Sequence, residues 1–148
     1  MVVAVSGHRD VVGGAVEQLQ CAVNAVIDSG AEELRLGGAL GTDHIALLEA
    51  HRHGGVRIVV VVPATTKAIP AGTRDAVLEC ADEVVEMGLD PRAPWSYLRR
   101  NDRLLDGAEV LLALYDGRRT GGTAYTVREA RKRGIQVRVL DPRLSANP

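Results

Sequence analysis

Residues 58–62 read Ile-Val-Val-Val-Val and run straight into Pro63. Five β-branched residues in a row, with no polar interruption, do not suit a strand with one wet face. They suit a central parallel strand buried on both sides, where crossover helices cover both faces of the sheet. Parallel neighbours cannot be joined by a tight hairpin, so a chain holding such a strand needs helices between its strands.

The rest of the chain supplies them. Val2–Val5 is a short apolar run stopped by Ser6-Gly7. Val16, Leu19, Val23 and Ile27 follow a helical period that Gly30 ends. Leu34 and Leu36 predict a strand running into Gly37-Gly38, and Ile45 and Leu48, with the alanine between them, predict a helix ending at Gly54-Gly55. Residues 64–73 read as a loop broken by Pro70 and Gly72, followed by a helix over 75–81 and a strand over 83–87. A second loop, from Gly88 to Pro94, leads to a helix over Trp95–Leu105 and a buried strand over Val110–Leu114. Gly121-Gly122 opens a helix that runs through Arg133 to Gly134, and Gln136–Leu140 is the last strand. This alternation predicts an α/β fold: a single Rossmann-like, doubly wound, mainly parallel sheet with helices on both faces. Residues 1–141 are expected to form one domain and residues 142–148 a frayed tail.

A chain of 148 residues is long enough to bury a proper core, and with no Phe that core falls to Val, Leu, Ile and Ala. The net charge of −1 gives no global attraction to DNA or an anionic membrane. Nucleic acid is therefore disfavoured as a partner, although a local basic patch is not removed by this argument. Cys21 and Cys80 have neither disulfide nor metal spacing and read as free core thiols, so no metal is expected. The start of the chain lacks the basic and apolar regions of a signal peptide, and no apolar run reaches the roughly 20 residues of a membrane helix. A cytoplasmic protein without membrane contact is expected.

In open parallel sheets, ligands bind beyond the carboxyl ends of the strands, where the strand order reverses. Four segments stand at or near such ends. In Ser6-Gly7-His8-Arg9-Asp10, Gly7 permits a sharp turn, Arg9 can fork onto a phosphate, and His8 can donate a hydrogen bond or stack. Gly37-Gly38-Ala39-Leu40-Gly41-Thr42-Asp43 places three glycines just before a helix, where amides and the helix dipole favour an anion. Thr42 or Asp43 would cap that helix, and Asp43 would repel a phosphate, so it caps or holds a sugar hydroxyl. The loop matches neither the dinucleotide fingerprint nor the P-loop. Arg99-Arg100-Asn101-Asp102-Arg103 carries three arginines that cannot share one helix face, so one or two would reach the site and the rest would be solvated. The strongest signal is Asp116-Gly117-Arg118-Arg119-Thr120-Gly121-Gly122-Thr123, a basic, glycine-rich turn between a buried strand and a helix that Thr123 would cap. Trp95, Tyr97, Tyr115 and Tyr125 lie near the last two segments, where a flat base could stack on one of them, or where Trp95 and Tyr97 could fill the core in place of Phe. Arg128, Arg131, Lys132 and Arg133 suit a helix C-terminus and read as structural.

Together these residues resemble the SLOG superfamily of Rossmann-like domains, which joins the DNA-processing protein DprA/Smf to the Lonely Guy (LOG) proteins. The similarity runs from Ser6-Gly7-His8-Arg9 to Asp141. Gly37 to His44 followed by Ile58–Val62-Pro63 resembles the DprA glycine loop, helix and strand, and Arg100-Asn101-Asp102-Arg103 is similar to its Arg-Asn-Arg segment. Gly121-Gly122-Thr123 before Val127-Arg128-Glu129-Ala130 resembles the superfamily's second phosphate-binding turn. The LOG signature Pro-Gly-Gly-x-Gly-Thr-x-x-Glu is incomplete, with Thr126 where the glutamate belongs. The resemblance implies binding of a nucleotide or nucleotide-derived phosphate ligand, with no cofactor required. Phosphate would sit on Gly38, Gly41, Gly121 and Gly122, with Arg9 and Arg100 neutralising charge and Asp116 holding a ribose hydroxyl. Two other functions are carried beside it. One is nucleoside-monophosphate N-glycoside hydrolysis, for which Asp43, Asp116 and Glu129 are the candidate carboxylates. The other is DprA-like binding of single-stranded nucleic acid. A homodimer through helices beside the site is the expected assembly.

Overall fold

A computed structural model describes residues 1–11 and 13–142. The expected tail from 143 onward lies outside the described residues. Along the chain run β1 (Val2–Gly7), α1 (Gly14–Asp28), β2 (Glu33–Gly37), α2 (Thr42–His53), β3 (Arg57–Val62), α3 (Ala71–Cys80), β4 (Glu83–Glu86), α4 (Pro94–Leu105), β5 (Val110–Leu114), α5 (Gly122–Lys132) and β6 (Gln136–Leu140). A single 3-10 turn, Thr66–Ala68, lies between β3 and α3.

The strands form one sheet in the order β4-β3-β2-β1-β5-β6, and every pairing is parallel. The first four strands step outward from β1 in one direction. The chain then returns to place β5 on the other side of β1. The order therefore reverses between β1 and β5, where Gly7 stands beside Leu114 at the carboxyl ends. Among the described residues, no helix is long and apolar enough to cross a membrane.

The buried residues divide between the two faces of the sheet. On one face Val3, Val5, Leu34, Leu36, Val60 and Val62 pack with Leu19, Val23 and Val26 of α1, Ala46, Leu47 and Ala50 of α2, and Val77 of α3. On the other, Ala4, Val59, Val61, Leu111 and Ala113 pack with Leu104 and Leu105 of α4 and Val127 and Ala130 of α5. Residues 58–62 are all buried, as their composition predicts, and β5 is buried throughout.

Several sequence expectations need correction. Helix α3 begins at Ala71 rather than 75, because Pro70 serves as its N-cap and Gly72 sits in the first turn, packed toward Leu40. Proline and glycine break helix interiors but are tolerated at helix starts. Helix α2 turns Leu48 outward, 43% exposed, and buries Ala46, Leu47, Glu49 and Ala50 instead. Trp95 and Tyr97 are exposed at the surface of α4 and fill no core gap. Cys80 is buried, but Cys21 is on the exposed side of α1, so only one of the two free thiols belongs to the core.

Candidate functional site

The reversal point opens into a cavity of about 380 Å³. From β1 and its loop come Ser6, Gly7, His8, Arg9 and Asp10; from the loop after β2 and the start of α2 come Ala39 and Asp43. Helix α4 contributes Tyr97, Arg100, Asn101 and Leu104, and the segment after β5 contributes Arg118, Thr120, Gly121, Gly122 and Thr123. Segments nearly the whole chain apart thus meet at one rim. The parallel pairing of β1 with β5 is the reason, since it sets the starts of their two loops side by side.

Helix α5 opens onto this cavity. Gly121 is its N-cap, with φ +101°, and no side chain caps it, so the expected cap by Thr123 is not made. The first amides of a helix have no intrahelical partner and lie at the positive end of the helix dipole. Asn101 stands beside them, its Nδ2 lying 3.6 Å from where a Cβ of residue 122 would be.

Arg100 is buried, yet among the described residues it forms no ion pair. Its Nε donates to Asn101 Oδ1 at 2.9 Å, its Nη1 faces the Val61 carbonyl at 3.4 Å, and its guanidinium lies 5.8 Å from the Tyr97 ring centre. Asp43 is the other buried charged residue that lines this cavity. Burial pushes its carboxyl up to about 6, against the opposing pull of Arg100 and a hydrogen bond of 3.3 Å from the Ala39 amide. His8 is held neutral. Its Nε2 accepts from the Asp116 amide at 3.2 Å, which puts the ring proton on Nδ1. Burial and nearby Arg118 lower its pKa, and these outweigh the pull of the Asp116 carboxylate 3.4 Å away.

The glycines near β2 do something other than line this cavity. A Cβ on Gly37 would lie 2.7 Å from Arg100 Cζ and 2.8 Å from Asp43 Oδ2, so its bareness admits those two side chains. Gly41, at φ +77°, caps α2 and lets the Arg9 backbone pass against it. Thr42 spends its hydroxyl on the His8 carbonyl at 2.8 Å, so neither it nor Asp43 caps α2. Gly38 lines a smaller neighbouring cavity instead. Gly7 does line the main cavity while packing against Thr42.

Of the candidate carboxylates, only Asp43 faces the cavity. Asp116 is clamped by Arg118, with Nε–Oδ1 at 3.0 Å and Nη2–Oδ2 at 2.6 Å, and it also accepts the Arg118 amide at 3.0 Å. Those bonds hold its carboxyl far below the usual carboxylate range. Glu129 pairs with Arg133 at 3.2 Å on the outer side of α5.

No family model matches the chain, and no curated protein does. Solved structures do. DNA processing protein A from Helicobacter pylori superposes with a TM-score of 0.79 at 23% identity, over 97% of this chain and 66% of that one. DprA from Streptococcus pneumoniae gives 0.76 at 18%, over 93% and 49%. The molybdenum cofactor binding protein from Rippkaea orientalis gives 0.71 at 17%, over 95% and 76%. This chain shares their fold, a Rossmann-like α/β domain on a parallel sheet. It spans about half the length of the S. pneumoniae protein.

Two residues stand out more sharply than the sequence alone marks them: Tyr97, there one of four aromatics on which a base could stack, and Arg118, there one member of the basic turn after β5. Tyr97, Arg100, Asn101 and Leu104 are spaced i, i+3, i+4, i+7, one face of a helix, and that spacing selects Arg100 from the three arginines and adds Tyr97. Arg99 is exposed on the opposite side, 5.7 Å from the Trp95 ring centre. Arg118 follows an Asp by two positions, the spacing of an Asx turn, which folds its fork back onto Asp116.

Proposed function

We propose that the cleft between β1 and β5 binds a nucleotide or nucleotide-derived ligand, with its phosphate on the N-terminal turn of α5. The reading rests on one convergence: the glycine turn 120–123 shares a single cavity with Arg9 and the buried Arg100. Backbone amides at an uncapped helix start, next to cations that form no ion pair among the described residues, make a site for a compact anion. Neutral His8 adds an N–H donor that carries no charge to neutralise. The H. pylori relative is described as binding single-stranded DNA and the R. orientalis one as binding the molybdenum cofactor, and both ligands carry phosphate. Thermal melts against a panel of mononucleotides and cyclic nucleotides test the reading. A ligand at a hundred times its Kd adds about 2.7 kcal/mol, which raises the Tm of a domain this size by roughly 5–10 °C. The expected result is such a rise, abolished in Gly122→Leu. A panel without any rise at millimolar concentration removes the reading.

One observation favours a second reading. Asp43 is a buried carboxyl inside the cavity, held up to about 6, a state suited to proton transfer near neutral pH. It would serve N-glycoside hydrolysis of a nucleoside monophosphate, with Asp43 as the one of the three candidate carboxylates that lines the cavity. Release of free base and ribose 5-phosphate supports this, and intact monophosphate after long incubation with concentrated protein excludes it.

A further inference from the structure

Next to the main cavity lies a second, of about 90 Å³. The two share Arg9, Ala39, Tyr97 and Arg100, which form the neck between them. Past the neck the walls become apolar, with Val62, Ile69, Ala68 and three prolines. The two guanidiniums at the neck are the only charged groups that line it among the described residues. Gly38 keeps it open: a Cβ there would lie 3.0 Å from Val62 Cγ1 and 3.6 Å from Ile69 Cγ1, both wall atoms.

We propose that this second cavity takes the base of the ligand, and that it admits one six-membered ring rather than a fused bicycle, so that the ligand class is a pyrimidine nucleoside monophosphate. The inference rests on the proposed phosphate site and adds the other end of the molecule to it. An apolar cavity of about 150 Å³ accommodates benzene. At about 90 Å³ the second cavity is too small to enclose even one ring fully, so a single ring enters with one edge left at the neck. A purine would strand its second ring among the two guanidiniums. The neck suits a flat group, because Arg100 already lies over the face of Tyr97. A pyrimidine's C2 carbonyl, beside its glycosidic nitrogen, stays at the neck and accepts from Arg9 or Arg100, while the phosphate turns toward α5.

Calorimetric titration of the full chain with CMP, UMP, AMP and ribose 5-phosphate tests this. The expected result is a pyrimidine Kd at least tenfold below those of AMP and ribose 5-phosphate. Ala68→Leu fills the second cavity from an exposed position and should erase the pyrimidine advantage while leaving ribose 5-phosphate within twofold. Gly38→Ala, which adds a methyl to the cavity floor, should narrow the same gap. AMP binding as tightly as CMP and UMP overturns the inference. So does an Ala68→Leu protein that keeps the pyrimidine advantage or weakens all four ligands alike. In those cases ribose 5-phosphate binding leaves the phosphate site standing. Failure of all four ligands to bind overturns the phosphate site and the inference together.

Discussion

Asp43 and Arg100 flank Gly37 with opposite charges, yet they do not form an ion pair among the described residues. Desolvation therefore dominates, and the Asp43 carboxyl rises from 3.8 to about 6. The unfolded chain ionises this group first, so folding loses stability as pH climbs from about 4 through about 6, and the loss is complete above that. A difference of this size is worth about 3 kcal/mol at its full extent. Urea unfolding of Asp43→Asn should lack that component, so the variant should gain stability relative to wild type as pH rises over 4–7. An unchanged difference between the two would mean that Asp43 ionises as it does in water. His8 works in the opposite direction. Its folded pKa lies below 6.5, so its contribution is present above 6.5 and is lost as pH falls. An NMR titration should find its ring more than half neutral at pH 6.5, with the proton on Nδ1.

At the scale of elements, two glycine-opened helices that look alike in sequence are built differently. Gly41 is pressed against the Arg9 carbonyl and sits at φ +77°, so Gly41→Ala combines backbone strain with a clash. Its expected cost is at least about 2 kcal/mol. Gly122 has no such constraint: its added Cβ would meet only Asn101 Nδ2, at 3.6 Å. Gly122→Ala should leave stability unchanged or raise it by up to about 1 kcal/mol, through better helix propensity. Denaturant melts of the two variants check both expectations. Equal losses would mean that both turns serve packing alone. Clustered glycine announced a tight turn in each case, but a glycine that meets a neighbouring backbone cannot be told from one that meets open space until the neighbour is placed. Helix α4 shows the converse. Its Tyr97, Arg100, Asn101 and Leu104 face was readable from spacing, and only the direction of that face required the fold.

Over the whole molecule, the cavity is small and its cations are few. A mononucleotide held by α5 and one or two guanidiniums should bind with a shallow salt dependence. Single-stranded DNA tracking six or more phosphates would lose about a thousandfold between 50 and 200 mM salt. Binding measured across that range separates the two. A steep slope would move the function toward the nucleic-acid partner named for the H. pylori relative.

Local chemistry was enough to determine the alternation of strands and helices, the double burial of residues 58–62 and the glycine turn that opens α5. Each depends on side-chain branching, periodicity or backbone freedom within a few residues. Tertiary structure decided the rest. It paired β1 with β5, so that His8 and Arg9 came to face Gly121 and Gly122 across more than a hundred positions of chain. It turned Asp43 into the cavity with Asp10, whereas Asp116–Arg118 and Glu129–Arg133 are local pairs two and four residues apart. A carboxylate's role follows from the nearest cation and the nearest water, and the folded chain sets both.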